Sequence, residues 1–202
     1  MADMPAIAQP TFPRVHAYLG QLPDGLDSFP ECRAKASVHR RVLGYSEIPL
    51  FGLPKPLQSL VDDPPPANTW IPQCQALALI VAAVESQQLD GQAENAWIQA
   101  AASHVFNSPM YRILMWAATP RLLFKGAHLR WSAFFRGSTL NPTVESNSAE
   151  VVLDCPRELF NADLGGIFEH VLKAAINFTE GGGGEIALEL YRPGALLYRG
   201  NW

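Results

Sequence analysis

A chain of 202 residues with 48% hydrophobic and 17% charged side chains can bury one substantial core without disulfides or metals, and its composition excludes a disordered polypeptide. Its formal net charge of −4 is uneven: residues 1–100 hold six basic and ten acidic side chains, whereas 101–202 hold nine of each. Neither half has the strongly basic balance of a nucleic-acid binder.

Residues 1–13 carry three prolines and no apolar period, and read as a loose lead-in to a single domain over 14–202. Val15 to Gly44 reads as a short helix, a turn at Leu22-Pro23-Asp24-Gly25, and a second helix with Ser28 as N-cap and Glu31 completing a capping box. Seven prolines between Ile48 and Pro72 predict an irregular crossing at 48–72. Leu77, Ile80, Val81 and Val84 recur at helical spacing, with Asp90-Gly91 closing that element. A further helix covers Ala93 to Phe106. Ser108-Pro109 and Thr119-Pro120 each place a capping side chain before a proline at the first helical position, and the second of these helices is expected to run to about Arg136.

After Gly137 the period changes to two. Leu140 and Val144 alternate with polar neighbours, Asn147 marks a turn, and Ala149, Val151, Leu153 and Cys155 share a face. Leu164, Ile167, Phe168, Val171, Leu172, Ala175 and Ile176 form an apolar helical stripe that Gly181 to Gly184 stop. Ile186, Leu188 and Leu190 alternate in a third strand, and Arg192-Pro193-Gly194 has type II turn order into a fourth, where Leu196, Tyr198 and Trp202 share a face. This order predicts an α+β fold: N-terminal helices followed by a β-β-α-β-β unit forming a four-stranded antiparallel sheet packed against helices. The last strand, taken as a sheet edge, could pair between two copies and give a homodimer.

Three widely spaced cysteines, Cys32, Cys74 and Cys155, show no CxxC and no neighbouring histidine pair, a pattern of reduced intracellular thiols. The longest apolar run, Ala76 to Val84, has nine residues against about 20 for a membrane helix, and the N-terminus lacks the basic start of a signal peptide. The expectation is a soluble cytoplasmic protein without membrane or nucleic-acid partners.

Between Glu94 and Glu145 there is no carboxylate, yet the stretch holds Arg112, Arg121, Lys125, Arg130 and Arg136, together with eight of the twenty aromatic residues. On a straight helix after Pro120, Arg121, Lys125, His128, Ser132 and Arg136 fall on one narrow face, either a solvated row or a docking face for an acidic protein partner. Arg130 falls on the apolar side. Its guanidinium keeps its charge on burial, so it must pair with a carboxylate such as Asp154 or Glu169, stack, or hold the anionic group of a ligand. Trp97, Phe106, Tyr111, Met115, Trp116, Trp131 and Phe134 read as plain core or, with Arg130, as the lining of an apolar ligand pocket.

The histidines His16, His39, His104, His128 and His170 never occur as HxxxH or HExxH. No metal site is predicted, and only His104 or His128 offers itself as a lone axial haem ligand, so no cofactor is expected. Asp154, Cys155 and His170 make a thiol-catalysis inventory without a surrounding motif. No Gly-x-Ser-x-Gly, Walker or dinucleotide fingerprint is present. The four-glycine run follows a helix and precedes a strand, the reverse of a phosphate loop. No catalytic residue is assigned, and the reading leans away from an enzyme.

Several phrases together carry a resemblance: Gly25-Leu26-Asp27-Ser28-Phe29-Pro30-Glu31-Cys32-Arg33-Ala34-Lys35-Ala36-Ser37, Trp70-Ile71-Pro72, Ser108-Pro109-Met110-Tyr111-Arg112, and Arg130 through Ser138. With these the chain resembles a large paralogous family of similarly sized myxobacterial proteins, a likeness that implies no activity and no catalytic residues. The late element order is also similar to the superfamily of vinyl-reductase-like and haem-nitric-oxide-binding domains, which implies a pocket between helices and an antiparallel sheet for small apolar or aromatic ligands. The cysteine metal site and the Tyr-x-Ser-x-Arg haem motif of those relatives are not matched. The leading expectation is a non-enzymatic sensor domain that binds a small apolar or aromatic ligand, with or without an anionic group, and signals to a protein partner. The alternative is an adaptor that docks proteins through the basic helix face 121–136 or the proline-rich segment 48–72.

Overall fold

Phe12 is buried and Pro13 opens α1 (Pro13–Gln21), so the fold takes in the last two residues of the expected lead-in. The computed structural model describes residues 12–115 and 119–202; the rest of that lead-in lies outside them. After a 3-10 turn at Gly25–Asp27 come β1 (Arg33–Lys35) and α2 (Ala36–Leu43). The expected capping box is not formed. The buried Ser28 Oγ accepts from Asp24 N–H at 2.9 Å, Phe29 adopts a left-handed φ of 53°, and the chain continues as a strand. The capping spacing is a local signal. It loses to β1 becoming the middle strand of a small antiparallel sheet, between β2 (Trp70–Pro72) and β3 (Phe135–Arg136), with Ala34 fully buried.

The proline-rich crossing contains two elements, α3 (Lys55–Asp62) and β2 (Trp70–Pro72). Pro54 and Pro56 stand at the N-cap and in the first turn of α3, where a missing N–H leaves no helical bond unmade. α4 (Gln73–Glu85) follows and is buried along most of its length. Asp90 opens α5 (Gly91–Phe106) as its N-cap and does not close α4. Next come α6 (Pro109–Met115), α7 (Pro120–Lys125), α8 (Ala127–Ser132) and β3 (Phe135–Arg136). Thr119 caps α7 as expected, its Oγ1 accepting from Leu122 N–H at 3.4 Å. The single helix expected to reach Arg136 is broken twice. It breaks at Gly126, where an added Cβ would collide with the Arg130 guanidinium. It ends at Ser132, and just beyond it Lys35 N–H bonds to Phe134 O at 2.8 Å and Phe135 pairs with Ala34.

The C-terminal part is the predicted β-β-α-β-β unit. β4 (Thr139–Val144), β5 (Ser148–Asp154), β6 (Glu185–Arg192) and β7 (Ala195–Asn201) form a four-stranded antiparallel sheet ordered β4-β5-β7-β6. α9 (Ala162–Asn177) lies on it, and Tyr198 donates its hydroxyl to Gly165 O at 3.1 Å. Gly194, with φ of 93°, supplies the positive φ that a type II turn needs at its third residue. Two details depart from expectation. β7 is an interior strand, because the β6–β7 hairpin folds back to bring it against β5, so the edges are β4 and β6. The β6 alternation fails beyond Leu188, where a register shift places Leu190 opposite Leu197 and leaves it 47% exposed.

α1 is tied to the rest by side chains that sequence reading passed over. Glu85 accepts from the N–H groups of Arg14 and Val15 at 2.9 and 3.3 Å, serving as a cap where α1 has none of its own. The Arg14 guanidinium bridges Glu94 on α5 at 2.6 Å and Asp163 on α9 at 2.5 Å. Among the described residues, no helix is long and apolar enough to cross a membrane.

Candidate functional site

Where the apolar stripe of α9 should be core throughout, Val171 and Leu172 are only half-buried. They face a cavity of about 240 Å³ between the helices and the sheet. Its walls come from α2 (Val38, Val42), α4 (Ile80, Val84), α5 to α8 and α9, with Phe135 and Leu140 from β3 and β4. Of the expected lining, Trp97, Phe106, Tyr111, Arg130, Trp131 and Phe134 border it. The side chains of Met115 and Trp116 lie outside what the structure describes. The valines of α2 and α4, and Phe124, went unnoticed. Their apolar character was visible, but lining a cavity is a tertiary property with no local signature.

The aromatic walls are fixed by stacking and by one buried polar network. Trp131 stacks on Phe135 with ring centroids 4.2 Å apart and meets Phe168 edge-on at 5.8 Å; Tyr111 stacks on Phe134 at 4.6 Å. The Trp131 indole donates Nε1–H to Ser138 Oγ at 3.1 Å, and Ser138 exchanges hydrogen bonds with the fully buried Gln73 at 3.3 Å. The indole is thereby keyed to the start of α4 and the link into β4. Ser138 follows Gly137, which has φ of 77° and where a Cβ would run into Cys32.

Arg130 is the one charged side chain among the described residues lining the cavity. Its Nη1 donates to Leu123 O at 3.0 Å and to Leu122 O at 3.4 Å, carbonyls of α7 near its C-terminus, where a cation also opposes the helix dipole. Burial lowers its pKa. The two carboxylates expected as its partners are engaged elsewhere. Glu169 accepts from Leu188 N–H at 2.7 Å, and Asp154 from the Asn141 amide at 2.9 Å.

The basic row does not survive as one face. Arg121, Lys125 and His128 are exposed on α7 and α8, and Lys125 and His128 border a separate groove beside Asn141, Pro142 and Val144 of β4. Arg136 instead lies on β3, with its guanidinium 4.0 Å from the Trp70 ring centroid. His104 is exposed, with its ring beside Tyr45, and neither it nor His128 lines the cavity. Burial pushes the Cys155 thiol up to about 11, the wrong direction for a nucleophile, and no hydrogen bond joins it to His170, whose Nδ1 sits 3.3 Å from Gln99 Nε2. Among the described residues, no cluster of three or more His, Cys, Asp or Glu could hold a metal ion.

Comparison of the chain with protein-family models, curated proteins and solved structures gave no match.

Proposed function

We propose that the protein is a non-enzymatic domain that binds a small apolar or aromatic molecule in this cavity and passes on its occupancy to a protein partner. The observation that carries the reading is the cavity itself, partly open to solvent and walled almost wholly by hydrocarbon. A ligand that displaces water from these apolar walls gains the free energy of burying its own apolar surface there. The volume lies between the ~150 Å³ that accepts benzene and the ~300–1,000 Å³ of drug-sized sites, so the ligand has on the order of ten non-hydrogen atoms. Arg130 on the wall tolerates an anionic group and opposes a cationic one. The adaptor alternative loses its continuous basic helix, and the proline-rich segment it invoked is folded into α3 and β2.

Native mass spectrometry of the freshly purified protein beside its denatured mass tests the proposal, with an absorption spectrum through the visible range to report haem. An added mass that departs on denaturation supports it. A bare chain that also fails to bind the uncharged probe N-phenyl-1-naphthylamine overturns it.

A further inference from the structure

The small sheet β2-β1-β3 turns Ala34, Ile71 and Phe135 to the core, while Arg33, Lys35, Trp70 and Arg136 share its outer face. Two features of that face work against stability or do little for it. Arg33 and Arg136 are direct cross-strand partners, and like charges placed opposite each other are destabilising. Arg33, Lys35 and Arg136 form no ion pair among the described residues. Arg33 donates Nε–H to Pro30 O at 2.9 Å, and the other two approach the Trp70 ring, Arg136 at 4.0 Å and Lys35 at 5.5 Å from its centroid. Glu31, the nearest acid in the chain, is exposed, and its Oε1 lies 4.0 Å from Cys32 Sγ. Two cations on one indole, with a third on the same face and opposite one of them in the ladder, fit a surface shaped for an external anion, since local rules are broken where function requires it.

We propose that this face docks an acidic segment of a partner protein, whose carboxylates are received between Arg33, Lys35 and Arg136 around Trp70. A protein fits better than a nucleic acid. The chain, with a net charge of −4, lacks the strongly basic balance of a nucleic-acid binder. Tryptophan and arginine are also the side chains that most often anchor protein interfaces. The face is joined to the cavity through the backbone: Phe135 lines the cavity while Arg136 points outwards, and Lys35 leads directly into α2, which carries Val38 and Val42. The docking surface stands whether or not the cavity holds a ligand.

The test titrates the full chain with a short fluorescein-labelled peptide bearing glutamate at alternate positions, beside the same peptide with glutamine and a labelled oligothymidylate of equal charge. The glutamate peptide is expected to bind in a salt-sensitive way, and Lys35→Glu or Arg136→Glu to weaken it roughly tenfold. Arg121→Glu, on the separate basic surface of α7, should leave it unchanged. No binding, equal binding of the glutamine peptide, or indifference to both reversals overturns the proposal, as does tighter binding of oligothymidylate lost in the same variants. A second measurement is independent of any probe. Arg136→Gln relieves the like-charge opposition and should melt no lower than the wild type; a clearly lower midpoint would mean that the cluster serves the fold, and would overturn the docking role.

Discussion

Arg14 and Arg130 are both half-buried guanidiniums, and their surroundings set them to opposite tasks. Burial alone would lower the pKa of Arg14, but its hydrogen bonds and charge contacts with Asp163 and Glu94 outweigh that and raise it. It is a three-helix rivet, and Arg14→Ala should cost about 2 kcal/mol, below the range for fully buried pairs because all three side chains keep some solvent. Chemical denaturation of the variant measures this, and an unchanged midpoint would show the rivet to be idle. His39 is the other residue with a measurable signature. It is fully buried with neither ring nitrogen hydrogen-bonded, and burial, with the Arg40 charge adding to it, holds its pKa down to about 4 from an ordinary 6.5. Above pH 6.5 both folded and unfolded chains keep the ring neutral, so nothing is lost. As pH falls from 6.5 to 4, only the unfolded chain takes up the proton, and stability should decline by roughly 3 kcal/mol. His39→Leu should flatten that part of the stability–pH curve. Parallel curves for the two proteins would contradict the assignment.

At the scale of elements, β7 is paired along both its edges, with β5 and with β6, and it supplies the buried Leu196 and Tyr198. Deleting residues 197–202 therefore breaks two ladders, not one, and also removes Trp202 from its stack on Phe124, 5.5 Å away. The truncated protein should lose cooperative melting, followed by circular dichroism; a soluble truncate with a sharp transition would refute this. The sheet could be read from the sequence because strict alternation and glycine or proline punctuation are local signals. What could not be read depends on partners far along the chain. β3 exists because Phe135 meets Ala34, β1 because it is gripped from both sides, and the α7–α8 break falls at Gly126, beneath the Arg130 guanidinium. Each defeats a sound local expectation of helix. Likewise the aromatic content of the site was legible, whereas the contribution of α2 was not, because valines carry no mark that distinguishes a wall from a core.

For the molecule as a whole, the cavity sets stability against binding. Ala102 lies on its wall and is nearly buried. Ala102→Leu should fill part of the space, raise the melting temperature of the ligand-free protein by a few degrees, and weaken N-phenyl-1-naphthylamine binding roughly tenfold. A destabilised variant with undiminished binding would place the ligand elsewhere. The strand order has a consequence for biosynthesis as well. The central strand β7 is the last of the described strands to be made, and the two strands it joins lie on either side of α9 in the chain. Until β6 and β7 emerge together as a hairpin, β5 lacks one of its two neighbours and presents an open backbone edge to other chains. The sheet cannot nucleate progressively from its N-terminal side. It must close late and over long sequence separations, so the nascent chain passes through an interval in which chaperone protection matters more than it does for the finished protein.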